Sequence, residues 1–294
     1  MFIVQYRKIF FAFSGILLAL SVLTMSVYGF NASIDFKGGA LTEVKYLERP
    51  LQTEVEQKIS ALNLGGFSIR PSGESSYTIR SRELSADEKR TLVEVLGNPI
   101  VERQKTVGPI AGAELKDKAV KAILVVMLMI VLFITFAFRK VSRPVSSWKY
   151  GLATIIALVH DVIIPTGIFV ILGHFAGLEI DLLFVTGLLA ILGYSVHDTI
   201  VVFDRVRENL RTNAEKNFKE DFETTVGKSV TQTFGRSINT SLTIFITLLA
   251  LFLAGSPATK DFALLLIIGI IIGTYSSIFV ASPLLVTFYK LQGK

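Results

Sequence analysis

Six long apolar segments dominate the pattern of hydrophobic and polar positions along the chain. A helix of about 20 residues, rising about 1.5 Å per residue, crosses the hydrocarbon core of a bilayer. The segments are long enough for this and lie at 9–28, 119–138, 150–173, 182–203, 238–255 and 262–289. The pattern therefore predicts an α-helical polytopic membrane protein with six transmembrane helices, the first of them retained as an anchor.

A hydrophilic stretch at 30–118 separates the first apolar segment from the second. Its pattern predicts strands at 40–47, 67–70, 77–82 and 100–107, with turn residues between the middle two. Helical patterns lie at 53–62 and from Ser85 to Leu96, the latter opened by a capping box from Ser85 to Glu88. This order predicts a ferredoxin-like α+β domain. We therefore expect three parts, at 1–29, 30–118 and 119–294.

The composition supports a membrane protein and excludes several other classes. Hydrophobic residues make up 51% of the chain and charged residues 18%, with a mean hydropathy of +0.57. A soluble protein carries about 25% charged residues, so an ordinary soluble enzyme or a disordered chain is excluded. The chain has no cysteine, which excludes disulfides, thiolate metal sites and a cysteine nucleophile.

The distribution of lysine and arginine predicts the orientation in the membrane. Of the 30 basic residues, 15 lie in the N-terminal tail, the loops 139–149 and 204–237 and the C-terminal tail. The short loops 174–181 and 256–261 hold only Lys260. Because cytoplasmic loops are rich in Lys and Arg, we expect both termini in the cytoplasm and 30–118 outside. The net charge of +6 then reflects topology, so no nucleic-acid partner is expected.

The loop 204–237 mixes charged residues with apolar residues at roughly helical intervals. The apolar residues are Val206, Leu210, Phe218, Phe222 and Val226. This spacing predicts an amphipathic helix lying on the cytoplasmic surface of the membrane. Docking of a cytoplasmic partner there remains an open alternative.

Two predicted spans carry ionisable residues, which cost about 2.5–3.5 kcal/mol each in hydrocarbon on insertion scales. The third span holds His160 and Asp161 about halfway along its length. The fourth span holds Asp198 close to its inner end, with Tyr194 and Arg205 on the same helical face. We therefore predict a polar stripe on the fourth span that leads to the inner surface.

The fifth span supplies a second polar stripe. Arg236, Thr240, Thr243 and Thr247 recur at spacings of one helical face, which must turn towards protein or water rather than lipid. Arg236 enters the membrane at a depth similar to that of Asp198. The sharpest hypothesis is therefore a pair of Asp198 and Arg236 lining a hydrated path.

Plainer interpretations of the same residues remain open. The Arg236 side chain is long enough to extend to the membrane–water interface, and Asp198 could have a purely structural role. His160 and Asp161 lie close to Pro165 and could be a hydrogen-bonded pair that supports a kink.

In the sixth span, small residues recur at four-residue spacing. Gly269, Gly273 and Ser277 form this row. Such a row is typical of close helix packing, and we assign it no chemistry.

Most enzyme classes lack their required residues in this chain. There is no Gly-x-Gly-Asp of aspartyl intramembrane proteases, and Val196 replaces the glycine expected after Gly193-Tyr194-Ser195 in a rhomboid-type motif. No phosphate-binding loop, HExxH or dinucleotide fingerprint occurs. We expect a non-enzymatic protein without cofactor or metal, driven by an ion gradient or by a partner.

Several motifs, in order along nearly the whole chain, resemble the SecF family of bacterial protein-translocase subunits. The motifs are IDFKGG at 34–39, VGPIAGAEL at 107–115, ALVHDV at 157–162, GYSVHDTIVVFDRVREN at 193–209, RSINTS at 236–241 and GTYSS at 273–277. The first two are partly shared with the sister subunit SecD.

This resemblance implies a six-span half of a transporter of the RND superfamily, completed to twelve spans by SecD. It implies a subunit of the bacterial inner membrane that uses the proton-motive force to help unfolded preproteins leave the SecYEG channel, with YajC and YidC as further candidate partners. By resemblance Asp198 and Arg236 support proton passage. His160, Asp161, Tyr194, Thr240 and Thr243 are the supporting polar candidates.

Two other functions remain as alternatives. One is a half-size RND-type exporter of small molecules or lipids, although such exporters usually carry larger outer domains. The other is a structural scaffold of the translocase, in which Asp198 and Arg236 form a static tie. Sodium coupling is an alternative to proton coupling, because a lone carboxylate can serve either ion.

Overall fold

The computed structural model describes residues 2–62, 64–139 and 145–292. Within these residues, six helical stretches are long and apolar enough to cross a membrane. They comprise α2 (Arg7–Tyr28), α6 (Pro109–Ala137), α7 (Ser147–Ala176), α8 (Leu182–Glu215), α9 (Phe222–Ala254) and a sixth stretch formed by α10 (Pro257–Ser276), a π-helical turn (Ser277–Ala281) and α11 (Ser282–Gln292). All six predicted transmembrane segments are therefore confirmed as helices.

The helices are longer than the apolar segments that predicted them. α6 begins at Pro109 rather than at 119, because proline at the first helical position needs no hydrogen-bond partner for its nitrogen. The predicted loop 139–149 is also shorter, since α7 begins at Ser147. Residues 140–144 of that loop lie outside the described residues.

A short helix, α1 (Phe2–Gln5), precedes α2. Between α2 and α6 the chain forms α3 (Ile34–Lys37), β1 (Gly39–Lys45), α4 (Gln52–Ser60), β2 (Ser68–Ser72), β3 (Ser76–Ser81), α5 (Ala86–Val95) and β4 (Ile100–Val107). The four strands form an antiparallel sheet in the order β2-β3-β1-β4. This is the ferredoxin-like order that the sequence predicts. The capping box at Ser85 and Glu88 is present as predicted.

One face of the sheet is apolar and packs against α4 and α5. Val44 and Ile79 of the sheet and Ile59 and Leu92 of the helices are each fully buried in this core. Strand alternation sends the neighbouring residues to the opposite face, where polar and charged side chains such as Arg80 lie. That polar face is turned towards the end of α7 and the starts of α8 and α10.

Close packing between membrane helices depends on small residues. A Cβ on Gly269 of α10 would collide with side-chain atoms of Ile191, and one on Gly273 would lie 3.2 Å from Ser195 Cβ. Ser277 shares a hydrogen bond of 2.9 Å with Thr199. The packing role predicted for this row is therefore confirmed, and the row lies directly against α8.

The prediction of a separate surface helix in 204–237 is wrong. α8 continues without interruption to Glu215, and α9 begins at Phe222, so the segment is a helical hairpin extending the fourth and fifth spans. Val206 and Val226 are fully buried in the main hydrophobic core, while Phe218 near the turn is 60% exposed. The apolar face thus packs against other helices of the chain instead of against lipid.

Candidate functional site

The Asp161 carboxylate lies at the meeting point of three membrane helices. It is fully buried, and its Oδ2 accepts a hydrogen bond of 2.7 Å from Ser276 Oγ of α10. Ser195 Oγ of α8 donates to the same oxygen. His160 Nδ1 lies 2.9 Å from Asp161 Oδ1. Because a buried carboxylate needs donors, these three groups make its position in hydrocarbon tolerable.

His160 continues the network away from Asp161. The imidazole is 1% exposed, and its ring lies 6.0 Å from the ring of Tyr275 in a stacked arrangement. Tyr275 in turn donates a hydrogen bond of 3.1 Å to the carbonyl of Phe10 in α2. Within the described part of the chain, His160 Nε2 is buried without a hydrogen-bond partner. The tautomer with a proton on Nδ1 fits donation to Asp161.

The helix that supplies Ser276 is locally widened into the π-helical turn. Pro283 follows this turn and has no N–H to donate into a regular helical ladder. Ser282 Oγ compensates by donating a hydrogen bond of 2.8 Å to the carbonyl of Ser277. Single π-turns inside α-helices occur frequently at functional sites, and this one adjoins the serines of the buried network.

Asp198 lies one helical turn beyond Ser195 and has a separate set of neighbours. Its side chain is buried, and its Oδ2 accepts a hydrogen bond of 3.3 Å from Ser241 Oγ of α9. Ser241 also shares a hydrogen bond of 2.6 Å with Thr274 Oγ1 of α10. Among the described residues Asp198 has no ion pair, so only hydroxyl groups hold its carboxyl.

Hydroxyl groups of α8 and of the π-helical turn lie between the two carboxylates. Ser277 Oγ donates a hydrogen bond of 3.1 Å to the carbonyl of Ser195, which contacts Asp161. Ser277 also bonds Thr199, the residue next to Asp198. The polar groups of α7, α8, α9 and α10 therefore lie in two neighbouring hydrogen-bonded groups, one around Asp161 and one around Asp198.

The structure does not form the predicted pair of Asp198 and Arg236. The Arg236 side chain is exposed on the protein surface, and it forms no ion pair within the ranges that the structure describes. Tyr194 and Thr243 are likewise exposed, and Thr240 is half-buried. The predicted single stripe on α8 is also divided, because Asp198 points inwards while Tyr194 is 43% exposed.

Sequence reasoning missed the serines that hold Asp161. Ser276 and Ser195 gave no signal of their own, since a serine in a membrane helix commonly bonds its own backbone. The same applies to Ser241 and Thr274 beside Asp198. Among the described residues there is no cluster of three or more His, Asp or Glu side chains that could hold a metal ion.

Comparison with known proteins identifies relatives over most of the chain. Residues 88–291 match the family model described as protein export membrane protein SecD/SecF, C-terminal. The protein translocase subunit SecF of Thermobaculum terrenum is 40% identical over 306 residues, covering 97% of this chain and 93% of that protein. The SecF subunit of Escherichia coli O157:H7 is 37% identical, covering 93% of this chain and 83% of the relative.

Solved structures give the same result for the fold. SecDF, a translocon-associated membrane protein from Thermus thermophilus, matches with a TM-score of 0.82 and 33% identity. The match covers 99% of this chain and 38% of the SecDF chain. SecDF in a super-membrane-facing form matches with a TM-score of 0.67 and 32% identity, over 96% of this chain and 38% of the other.

The fold and these matches define a membrane-embedded component of the protein-export machinery. The chain belongs to the SecF family of protein translocase subunits. An accessory role in protein translocation, with SecD as partner, follows from this membership. The relatives are named as translocase subunits rather than as enzymes.

Proposed function

We propose that this chain, together with SecD, uses the proton-motive force to assist export of unfolded preproteins from the SecYEG channel across the bacterial inner membrane. The observation that carries this proposal is the state of Asp198. Its carboxyl group is buried in a membrane helix and held by a hydroxyl group at 3.3 Å, without a cationic partner among the described residues. A carboxyl group in such a place gains or loses a proton without breaking an ion pair.

Arg236 would act from the face that this chain leaves uncovered. Arg236, Thr243 and Thr247 of α9 and Tyr194 of α8 are exposed at membrane depth, where polar side chains need protein or water as neighbours. We infer that the SecD half covers this face and brings Arg236 into contact with the proton path. The remainder of the SecDF chain, which this chain does not span, has room for such a half.

Asp161 would serve mainly to hold the helices that carry the path. Its carboxylate is fully buried and has three hydrogen-bonding neighbours, one histidine and two serines. This arrangement favours a fixed position over repeated protonation. In this proposal the buried pair of His160 and Asp161 ties α7 to α8 and α10. Movement of one of these helices would therefore shift the others.

The orientation forms part of the proposal. With both termini in the cytoplasm, the sheet domain lies outside, where preproteins emerge, and the helical hairpin around Phe218 lies in the cytoplasm. The lysine and arginine distribution supports this orientation. SecYEG, YajC and YidC would be neighbours in the same membrane.

The experiment measures preprotein translocation into inverted membrane vesicles that contain the complex with SecD, with and without an imposed proton gradient. Asp198→Asn keeps the size of the side chain and removes its ability to ionise. Asp204→Asn is the matched control, because Asp204 is exposed on the same helix. Equal co-purification with SecD establishes that each variant assembles.

If Asp198→Asn loses only the gradient-dependent part of translocation while Asp204→Asn keeps it, Asp198 is a coupling residue. If both variants keep that part, the carboxyl is structural and the scaffold alternative replaces this proposal. A sodium gradient imposed in parallel distinguishes the coupling ion, since the Asp198 carboxyl is suited to either ion.

A further inference from the structure

A cavity with a volume of about 650 Å³ lies between the polar face of the sheet and the outer ends of the membrane helices. Its sheet side carries mostly basic side chains and the opposite side mostly acidic ones. The basic residues are Arg70, Arg80, Arg103 and Lys105, and the acidic ones opposite are Glu179, Asp181 and Asp261, with Glu43 on the sheet and Asp35 on α3 of the same domain. The outer domain therefore faces the membrane helices across a gap lined by complementary charge.

Two arginines bridge this gap to the loop between α7 and α8. Arg80 Nε of β3 lies 2.9 Å from Glu179 Oε1, and both side chains are largely buried. Arg70 Nη1 of β2 donates a hydrogen bond to the carbonyl of Gly177. Gly177 ends α7 with a φ of +75°, a conformation that favours glycine, and a Cβ there would collide with the Arg70 guanidinium.

The loop that these arginines hold connects the two spans that carry the buried carboxylates. It runs from the end of α7, which bears Asp161, to the start of α8, which bears Asp198. The segment after α2 also binds this loop, because Ile180 N donates a hydrogen bond of 2.9 Å to the carbonyl of Asn31. Displacement of α7 or α8 along its axis would therefore pull directly on Glu179.

The contact between α3 of the outer domain and α6 is much tighter. α3 packs against the start of α6, and a Cβ on Gly112 would lie 2.9 Å from the backbone nitrogen of Gly38. Contact between two backbones leaves no side chain that could adjust. The domain is thus anchored closely at α3, whose Asp35 also accepts a hydrogen bond of 3.3 Å from Leu182 N of α8, while its sheet is held across the cavity by two arginines.

The bridge is poorly suited to being permanent. Burial lowers the pKa of the Arg80 guanidinium and raises the pKa of the Glu179 carboxyl, because burial disfavours the charged form of each. In the part of the chain that the structure describes, Arg80 Nη1 is buried without a hydrogen-bond partner. An ion pair of this kind orients its partners but gains little over solvated charges.

We propose that Arg80 and Glu179 form a releasable latch that couples movements of α7 and α8 to the outer domain. This rests on the proposed proton-driven function, in which the latch opens and closes during each cycle. Arg80 and Glu179 are positioning residues, since they lie at the cavity, away from the buried groups around Asp161 and Asp198, and act through α7 and α8.

The test follows both translocation and the opening of the cavity. The chain has no cysteine, so Thr78→Cys places a single thiol on the cavity wall for labelling by a membrane-impermeant maleimide in spheroplasts. Glu179→Gln is combined with it to release the latch. Glu102→Gln is the matched control, because Glu102 forms an exposed ion pair with Lys45 in the same sheet.

We expect Glu179→Gln to raise the labelling rate severalfold and to reduce gradient-dependent translocation, while translocation driven by ATP alone stays at the wild-type level. Glu102→Gln should match the wild type in both assays. The charge-reversed double variant, Arg80→Glu with Glu179→Arg, should restore slow labelling, which separates latch release from misfolding.

Unchanged labelling in Glu179→Gln would overturn the latch, as would faster labelling with intact gradient-dependent translocation. If the wild type itself shows no gradient-dependent translocation, the proposed function fails instead. In that case the labelling rates of Glu179→Gln and of the double variant still decide whether the latch exists.

Discussion

Ser276 Oγ donates a hydrogen bond of 2.7 Å to Asp161 Oδ2, so the sixth membrane helix is tied to a carboxylate of the third. The donor lies next to a π-helical turn and the acceptor is completely buried. The apolar middle of α10 has no charged residue. Through this contact, Ser276 at the end of α10 joins the polar region of the membrane domain.

Replacing Ser276 should weaken the membrane domain measurably. Ser276→Ala removes one donor from a buried carboxylate, and hydrogen bonds between membrane helices are worth about 0.6–2 kcal/mol. We expect a loss of that size in the free energy of unfolding in detergent micelles. Ser26→Ala is the control, because Ser26 is exposed on α2 and bonds its own helix backbone. Equal stability of the two variants would contradict the role of the Asp161 network.

Close packing between α2 and α7 should be sensitive to one methyl group. A Cβ on Gly167 would lie 2.6 Å from Ser21 Cα, so Gly167→Ala forces the two helices apart. Overpacking of this kind costs about 1–3 kcal/mol, which a shift in the thermal unfolding midpoint would reveal. Gly15→Ala on α2 has no neighbour within 4 Å and should not destabilise the protein. The prediction fails if both variants have the same thermal unfolding midpoint.

The helical hairpin beyond the fourth and fifth spans should depend on its buried aromatic base. Phe203 is fully buried and lies 5.3 Å, ring to ring, from Tyr150. Phe203→Ala leaves a cavity and should cost about 3–5 kcal/mol of unfolding free energy, by analogy with other buried aromatic residues. Phe218→Ala, near the exposed turn, should cost almost nothing. A large loss at Phe218 would instead indicate that the turn is covered.

The start of α5 in the sheet domain should lose protection in acid. The Arg82 side chain, together with the Ser85 N–H, holds the pKa of Glu88 at about 2 instead of the usual 4.5. A lowered pKa stabilises the folded form above pH 4.5, and this contribution disappears as the pH falls towards 2. The protection factors for hydrogen exchange in α5, which compare the observed rate with the intrinsic rate at the same pH, should therefore fall across this range. In Arg82→Ala the fall should begin at higher pH, and an unchanged profile would contradict the assignment.

Local pattern was sufficient for much of the architecture. Apolar length predicts the membrane helices, and the two-residue alternation around Val44 and Ile79 predicts strands. The box at Ser85 and Glu88 marks a helix start, and the spacing of Gly269 and Gly273 predicts a packed face. Each of these features depends on residues close together in the chain, whose geometry is set by the period of one helix or strand.

The tertiary structure decided which faces meet. A helical period shows that one face of 204–237 is apolar, but such a face can pack against lipid or against a neighbouring helix. In the structure it packs against neighbouring helices. The same limit applies to Asp198, which contacts Ser241 while Arg236 turns outwards. The bridge from Arg80 to Glu179 joins positions far apart in sequence. Such contacts depend on how whole helices rotate and pack together, which no local period encodes.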